Sequence, residues 1–534
     1  MAAIITNKLR VLSAKLFKDA FSDNNRNFYA FVGKALPWSP DANLPDTTLD
    51  TVREDSKRWG DMIALKKITS ANVSHIIPRF DWITGTRYIA YSDSDSDLFN
   101  HPTNAEISAA SGGGYLAGSF YVLAGDNVYK CLFAPAGVNS TVQPTGKLTT
   151  AIKTADGYVW KYMYTLSASE SLKFVTPDWI PVKVVASDDA SGQWAVQQAA
   201  KDGSIEIIRV TNGGSGYPKF VGGLTAATGT TFTLDNLDSP SGVDDFYNGC
   251  VAYVRTGPGA GTSAVVTDYN GTTHQGTVAS WPGTQPDGTS DVEILPRIVI
   301  TGDGTPASAE ALVSAGVITG ISVTNTGGVS DPNTDSPYRF ASATAIGGAG
   351  TGAVLAPVIS PLGGHGKDAI AELGGSYLMF DVRIESDESD FPASNDYRRV
   401  GIVTNIKNYG TTTLSSSTNL SAMKSITLGS VTGTFLPDAS ISSDGTGTPT
   451  AKAVDITTGS GTATIKYYQD ESTGFLSFDN GETVTGVGGG QGVITSLGNP
   501  ETEPFSGEII YIENRRAIVR APNQAENLKI TLEF

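Results

Sequence analysis

The sequence has few of the residues on which most catalytic and metal sites depend. Its 534 residues include two cysteines and four histidines, and only 17% of the chain is charged. The histidines are His75, His101, His274 and His365. No two of them are four positions apart and none lies at ligand spacing from a cysteine, so a zinc site is not expected. Cys131 and Cys250 are far apart in sequence, which favours two buried thiols over a disulfide framework.

A membrane span and a secretion signal are not expected either. No stretch approaches the ~20 consecutive apolar residues that a spanning helix needs. The N-terminal segment, MAAIITNKLRVLSAKLF, has no continuous apolar core behind its basic residues, which argues against a signal peptide. We therefore expect the protein to be made and assembled in a cytoplasm.

Basic charge is also scarce. The chain has 37 Lys and Arg against 54 Asp and Glu, and its formal net charge is −17. A nucleic-acid groove needs clustered cations that displace the counterions of phosphate, so nucleic acid is not an expected partner. An anionic membrane surface is disfavoured for the same reason.

Glycine, by contrast, is abundant, with 60 residues in the chain. High glycine and low charge are typical of many short strands joined by tight turns. A chain of this length is expected to contain two to four domains. The predicted fold class is mainly β (α+β), with a segmented β-rich core, an N-terminal helical part and two inserted small β-domains.

Shifts in composition divide the chain into five segments. Residues 1–200 are predicted to form the N-terminal part of the core, and 201–361 an inserted Gly/Thr-rich β-domain. Residues 362–410 return to mixed composition and continue the core. A second Gly/Thr/Ser-rich β-insert covers 411–500, and the strands of 501–534 complete the core.

Two helices are predicted in the N-terminal part. The first covers 5–21, and the second covers 46–68 with Asp46 or Thr47 as its cap. Five apolar residues of the first helix are predicted to share one face: Leu9, Leu12, Leu16, Phe17 and Phe21.

Aromatic residues mark a predicted strand farther along. The run 120–133 reads as a hairpin around Gly125, and 156–166 alternates as a strand does. Its aromatic residues are Tyr158, Trp160, Tyr162 and Tyr164. Such a stripe is used by glycan-binding proteins, but it is also typical of a buried strand face, and we favour the buried interpretation.

Several polar patterns resemble catalytic or metal sites only weakly. His365, in GGHGKD, could act as a general base, but a turn in which glycines adopt positive φ is the favoured interpretation. Asp93, Asp95 and Asp97 begin like a calcium loop and lack its later ligands, so a solvated loop is expected, as for 385–390. The glycine-rich runs 111–115 and 486–492 lack the Lys-Ser/Thr of a phosphate loop. We assign no catalytic, cofactor-binding or metal residues.

The C-terminal stretch SGEIIYIENRRAIVRAPNQAENLKITLEF combines carboxylates and arginines with strand patterns. Strands are predicted over Glu508–Ile512 and Ile518–Ala521, with a turn at Asn514-Arg515. From Leu528 to Phe534 strict alternation predicts a half-buried final strand. The charged residues are Glu508, Glu513, Arg515, Arg516 and Arg520. A glycosidase would need two carboxyl groups facing across a cleft, so a structural role is favoured.

This stretch resembles the end of the baseplate wedge protein of T4-like contractile-tailed bacteriophages, the gene-product-eight family. Three further segments match in order: the N-terminal helix running into NFYAFVGKALPWSPD, the IIPRFDW…TRY stretch (76–88), and DGYVWKYMYTL. The runs SGEIxYxENR and DGYVWxY are the most specific. Together the matching segments cover about 200 residues of the two terminal regions.

The resemblance implies a non-enzymatic subunit of the virion, located in the tail baseplate, with no cofactor. Members of that family form homodimers within each wedge. They connect an elongated wedge protein and the peripheral fibre-attachment subunit to the ring-forming wedge subunit, during assembly and during tail contraction. This chain is longer, and the excess lies mainly in 201–361 and 411–500.

Two other functions compete with this one. A receptor- or glycan-binding tail fibre or spike is suggested by the aromatic stripe and the Gly/Ser/Thr-rich inserts, and it predicts a trimer. A polysaccharide-degrading enzyme predicts that carboxylate substitutions abolish hydrolysis, but no motif in the sequence supports it.

Overall fold

The computed structural model describes residues 5–41, 44–45, 51–95, 98–99, 120–386, 388, 390–392, 396–521 and 523–534. The fold is mostly β, with 44% of residues in strands and 10% in helices, so the predicted β-rich class is confirmed. The chain forms two compact units. The first comprises Met1–Ile76, Leu172–Val175 and Ser376–Phe534, and the second Ile77–Ser171 and Thr176–Gly375.

The secondary-structure elements are numbered in chain order. The α-helices of the described residues are α1 (Asn7–Asp19), α2 (Val52–Gly60), α3 (Ala168–Phe174), α4 (Gln193–Ala199) and α5 (Ala369–Glu372). None of these helices is long and apolar enough to cross a membrane.

The strands up to the end of the second unit's barrel are β1 (Phe28–Gly33), β2 (Met62–Ile68), β3 (Val73–Pro78), β4 (Tyr121–Ala124), β5 (Asn127–Phe133), β6 (Ile152–Lys153), β7 (Val159–Thr165), β8 (Trp179–Val182), β9 (Ile205–Ser215), β10 (Phe220–Ala227), β11 (Thr231–Leu234), β12 (Val251–Thr256), β13 (Ser263–Asn270), β14 (Gln275–Val278) and β15 (Asp291–Leu295).

The strands that follow are β16 (Arg297–Gly302), β17 (Ser308–Ser314), β18 (Val317–Asn325), β19 (Ala341–Ile346), β20 (Thr351–Ile359), β21 (Tyr377–Ile384), β22 (Asp396–Thr404), β23 (Asn419–Ser421), β24 (Lys424–Thr432), β25 (Ser440–Ser443), β26 (Thr450–Gly459), β27 (Thr462–Tyr468), β28 (Thr483–Gly486), β29 (Gln491–Gly498), β30 (Glu508–Val519) and β31 (Glu526–Glu533).

The first unit is organised around β1, whose six residues are all buried. This strand lies in the middle of the antiparallel sheet β23-β2-β1-β22-β30. Phe28, Ala30 and Val32 belong to one core cluster, and Tyr29 and Phe31 belong to another. Both faces of the sheet are therefore covered, which explains why the NFYAFVG segment is apolar without alternation.

Helix α1 covers one of these faces, although with only some of the residues predicted. Val11 and Ala14 are its buried residues, and Phe17 and Phe21 pack against the same core cluster. The ring of Phe21 stacks on Phe28 with centroids 4.1 Å apart. The prediction that the three leucines share this face was wrong, because the leucines project on the opposite side of the helix and are exposed: Leu9, Leu12 and Leu16.

The predicted helix over 46–68 was also wrong in its second half. Helix α2 ends at Gly60, and Met62–Ile68 is strand β2. Thr51 caps α2 by accepting a hydrogen bond from the N–H of Glu54 at 3.4 Å. The proposed caps Asp46 and Thr47 lie outside the described residues. A short apolar run such as MIAL is compatible with a buried strand or a buried helix, and its place between two strands decides for the strand.

The predicted final strand is confirmed as β31. It pairs with β21 from Tyr377↔Glu533 to Ile384↔Glu526. The side chains of Leu528 and Ile530 are buried in the core of the first unit. The ring centroids of Phe534 and Phe17 are 5.4 Å apart, so residues from the first and last segments of the sequence pack in one core.

The strands predicted on either side of Asn514-Arg515 form one continuous strand instead. Strand β30 runs through the predicted turn and pairs with β22 from Thr404↔Glu508 to Asp396↔Val519. The register shifts twice along this pairing, which accommodates the polar residues without a reversal of the chain. The hairpin predicted over 120–133 is confirmed by β4 and β5, with Gly125 at φ +62°.

Each of the two predicted β-inserts, 201–361 and 411–500, contains a closed barrel of six strands. The barrel β10-β11-β14-β13-β12-β15 belongs to the second unit, and β24-β27-β26-β25-β28-β29 belongs to the first. A Cβ at Gly276 would overlap the ring of Phe232, so the glycine makes room for the barrel core. The second unit also contains the sheets β18-β17-β16-β19-β20-β9 and β4-β5-β7-β6. The five segment boundaries drawn from composition stay predictions.

The packing of β31 gives a direct test of its place in the core. Substitution Ile530→Ala removes a side chain that is 1% exposed, and we expect it to lower the free energy of unfolding by about 2–5 kcal/mol. The control Asn527→Ala changes an exposed residue of the same strand and should have an effect below about 0.5 kcal/mol. Thermal denaturation of the purified chain measures both. Equal melting temperatures for Ile530→Ala and the natural chain would contradict the buried position of this strand.

Candidate functional site

The charged residues near the C-terminus separate into a buried group and an edge group. Arg520 is 1% exposed. It donates hydrogen bonds to the carboxylate of Glu526 at 2.9 Å and to the carbonyl oxygen of Glu385 at 2.8 Å. An arginine enclosed in this way fixes the chain around it and cannot reach a ligand in solution.

The other four residues lie on strand β30, at the edge of the central sheet. The guanidinium of Arg515 pairs with the carboxylate of Glu513 at 3.0 Å. Glu508 and Arg516 are exposed. The structure brings Glu513 and Arg515 together as a surface ion pair, which contributes little to stability.

These charges are best explained as protection of the edge. Among the described strands only β22 pairs with β30, so the other side of this strand has no described strand beside it. The indole N–H of Trp38 donates to the carbonyl oxygen of Arg515 at 3.1 Å, which covers part of that side. Register shifts, charged side chains and a covering segment are the devices by which natural proteins prevent pairing of free edges.

The aromatic stripe is confirmed as core. The four side chains are at most 1% exposed: Tyr158, Trp160, Tyr162 and Tyr164. Each tyrosine hydroxyl donates to a backbone carbonyl oxygen, as Tyr164 does to Pro181 at 2.8 Å. The stripe therefore offers no aromatic face to a glycan.

His365 is part of a buried ionic cluster in the second unit. The ammonium of Lys130 lies 3.0 Å from Nδ1 of His365 and 2.9 Å from a carboxylate oxygen of Glu372. The side chain of Lys130 is 0% exposed, and those of His365 and Glu372 are 2% exposed. The ammonium also lies 4.1 Å from the centroid of the Tyr91 ring.

The local backbone explains how this cluster forms. Gly364 and Gly366 have φ values of +95° and +89°, so the turn that presents His365 has the positive φ that the sequence predicted. The N–H groups of Gly366 and Asp368 donate to the carboxylate of Glu372 at 2.8 and 3.2 Å. The carboxylate thus has both a cation and two backbone donors, as a buried charge requires.

The environment of His365 keeps its ring neutral. Burial, and then the positive charges of Lys130 and Lys161, hold the pKa of His365 well below its ordinary value of 6.5. With the ring neutral, Nδ1 accepts the hydrogen bond from Lys130. The pair Lys161–Glu206, at 3.2 Å, extends the cluster. A substrate could reach these groups only if the unit opened.

The first unit contains an open cleft of about 760 Å³. Its lining includes Trp38 and the exposed rings of Phe475 and Phe505. Within it Arg399 pairs with Asp61 through two contacts, at 2.9 and 2.7 Å. Apolar walls beside a few fixed charges are typical of a binding surface, and the volume lies in the range of ligand pockets.

The remaining candidates carry no assembled site. Asp93 accepts a hydrogen bond from the N–H of Ile359 at 2.9 Å, whereas Asp97, His101 and the run 111–115 lie outside the described residues. Within the described ranges, no three His, Cys, Asp or Glu residues are grouped as a metal site would require. The run 486–492 joins β28 to β29 as a hairpin of the second barrel.

Both cysteines are free and buried, as the sequence predicted. Burial raises the pKa of Cys250 to about 12 and that of Cys131 further still. Thiols in this state are poor nucleophiles and poor metal ligands.

Sequence reasoning missed the partners of these residues. The Lys130–Glu372 pair joins positions far apart in the chain, and no local pattern announces it. The cleft likewise combines residues from α2, from the region after β1 and from the loop after β27. The spacing of Leu9, Leu12 and Leu16 correctly indicated an apolar face of a helix. The sequence analysis did not predict that this face is exposed to solvent.

Comparison with known proteins gives one further observation. No family model matches this chain. The chain is similar to the baseplate wedge protein gp8 of Enterobacteria phage T4, with 28% identity over 214 residues. The match covers 34% of this chain, and the chain spans 60% of the length of that curated relative. This indicates a distant relationship.

The edge of β30 can be tested by removing its charges. We expect the double variant Glu508→Val and Arg516→Val to associate at high protein concentration, because two exposed apolar residues then invite strand pairing. Dynamic light scattering measures this. The matched control Asp23→Val with Arg26→Val removes an exposed acid–base pair that lies on no strand, and it should stay dispersed. Equal behaviour of the two variants would contradict a protective role.

The ionic cluster predicts a pH dependence of stability. A neutral buried His365 takes up its proton mainly in the unfolded chain, so the folded state loses stability as the pH falls below about 6.5. The loss attributable to this residue is at most about 1.4 kcal/mol per pH unit. In His365→Gln that contribution disappears, and the drop in melting temperature between pH 7.5 and pH 5.5 should be smaller.

His274→Asn is the control for this experiment. His274 is partly exposed in a turn at φ +55°, a conformation that Asn tolerates. In His274→Asn the drop in melting temperature between pH 7.5 and pH 5.5 should match that of the natural chain. If His365→Gln also keeps the full dependence, His365 is not buried in its neutral form.

Proposed function

We propose that this protein is a non-enzymatic structural subunit of a phage tail baseplate wedge and that it acts as a homodimer. In this role it connects peripheral wedge proteins to the inner ring-forming subunit, during assembly in the host cytoplasm and during contraction of the tail. The observation that carries the proposal is the similarity to a baseplate wedge protein over 214 residues.

The construction of the first unit supports a scaffold role. Segments from the beginning, the later part and the end of the chain share one buried sheet and its neighbouring core. A unit closed in this way moves as a rigid body, which suits a component that must keep its contacts while its neighbours rearrange.

The chemistry of the described residues favours the same conclusion. Lys130, His365 and Glu372, which could serve as acid–base groups, are enclosed in the second unit. Their side chains are at most 2% exposed. The aromatic stripe that motivated a glycan-binding function is buried as well. The cleft of the first unit exposes the rings of Phe475 and Phe505 beside a few fixed charges, which suits contacts with other proteins.

The first test is the absolute mass of the full chain in solution. Light scattering after size exclusion should give twice the chain mass of 55.8 kDa. A trimer would overturn the wedge assignment and indicate a fibre or spike. Hydrolysis of cell-wall polysaccharide by the purified chain would overturn the non-enzymatic role.

A second arm tests assembly. The chain should co-purify with the other wedge proteins encoded by the same phage when all are expressed together. Two variants show which unit contacts the other wedge proteins. Phe505→Ser changes an exposed ring at the cleft of the first unit, and Leu237→Ser changes an exposed residue of the second unit. The variant that co-purifies less of the other wedge proteins marks the contact surface. Absence of any complex with the natural chain, under conditions in which the other wedge proteins bind each other, would contradict the proposal.

A further inference from the structure

Helix α1 has two apolar faces, of which the core uses one. Val11, Ala14 and Phe17 point towards the core of the first unit. On the opposite side three leucines are exposed by 51%, 51% and 63%. They are Leu9, Leu12 and Leu16, and we call them the leucine stripe.

The spacing of the stripe is that of a helix-pairing seam. The steps from Leu9 to Leu12 and from Leu12 to Leu16 are three and four residues, which is the a/d pattern of a coiled coil. At 100° per residue the three side chains fall within an arc of about 60°, and they extend for about 10 Å along the axis. Single exposed leucines are ordinary on protein surfaces, but a row at this spacing marks an interaction surface.

The charges beside the stripe indicate what kind of partner fits. Lys8 and Lys15 are seven residues apart and border one side of it, at the position that flanks the seam in a coiled coil. Thr6 and Ser13 border the other side. The helix as a whole has four basic residues and one acidic residue, a net charge of +3, on a chain whose net charge is −17.

A second copy of the stripe is a poor partner for this surface. In an antiparallel pair the lysine borders of the two helices would face each other, and like charges at such positions repel. In a parallel pair the lysines would face Thr6 and Ser13, which carry no charge. Carboxylates on the partner would instead pair with the lysines.

We propose that the leucine stripe of α1 docks an amphipathic helix of another protein, with aliphatic anchors at the same spacing and carboxylates along its border. Burial of the leucines against the partner helix stabilises the complex. The lysines favour a partner with carboxylates and fix its position along α1.

The test uses two synthetic helices and the full-length chain. Both probes are fluorescent 18-residue peptides with leucine at a and d positions. One has glutamate at the flanking positions, and the other has lysine there. Fluorescence anisotropy should show binding of the acidic probe, with the basic probe weaker by roughly tenfold or more, and the acidic probe should weaken as salt is raised.

Variants of the chain assign the binding to the stripe. Leu12→Glu should abolish binding of the acidic probe, and Lys8→Glu should reduce the preference for it. Leu237→Glu is the control, since it changes a residue that is 88% exposed in the other unit, and it should bind like the natural chain. Melting temperatures confirm that each variant is folded.

Four outcomes would overturn the inference. Equal binding of both probes would mean unspecific apolar contact, and binding unaffected by Leu12→Glu would place the contact elsewhere. No binding of either probe would mean that the stripe takes no such helix. Loss of the dimer mass in Leu12→Glu would make the stripe a contact between copies of this chain and would leave the proposed baseplate role intact.

Discussion

The two-sided burial of strand β1 is the constraint on which the first unit depends. Its backbone is paired on both sides, with β2 through Phe28↔Ile68 and with β22 through Phe28↔Thr404. Its side chains alternate between two core clusters. The strand can therefore form only when residues about 370 positions later in the chain are in place. The same condition brings the second barrel, which lies between β22 and β30 in sequence, into the same unit.

The charges of this acidic chain divide by location. In the described interior, two buried pairs bring a cation and a carboxylate together: Lys130–Glu372 and Arg520–Glu526. Replacing one member of such a pair leaves an uncompensated charge in the interior, which is far more costly than losing a surface pair. At the edge of the central sheet the charges instead remain in solvent and keep β30 from pairing. The formal net charge of −17 is a surplus of one sign, which favours repulsion between copies of the chain.

The sequence predicted those elements whose patterns are local. The alternation of Leu528 to Phe534, the hairpin around Gly125 and the burial of the aromatic stripe all follow from strand periodicity and turn chemistry. The errors arose where periodicity is ambiguous. The apolar run of β2 fits a helix or a strand, and the polar run through Asn514 looked like a turn although an edge strand tolerates it.

Other features could not be predicted, since they depend on distant contacts. Nothing around Lys130 in the sequence points to Glu372, and the leucines of α1 could equally have faced a core. Helical periodicity identifies an apolar face, but it does not say whether this protein or another covers it. The distant similarity to a baseplate protein covers 34% of the chain, and the proposed role rests on it because the geometry alone leaves the role open.

The most direct measurement of that role is quantitative mass spectrometry of tails purified from the phage that encodes this chain. As a dimeric wedge subunit, the chain should be present in the tail fraction at a fixed ratio of two copies per wedge and should stay with the baseplate when fibres are sheared away. Absence of the chain from purified virions, or its loss together with the fibres, would contradict the proposed role.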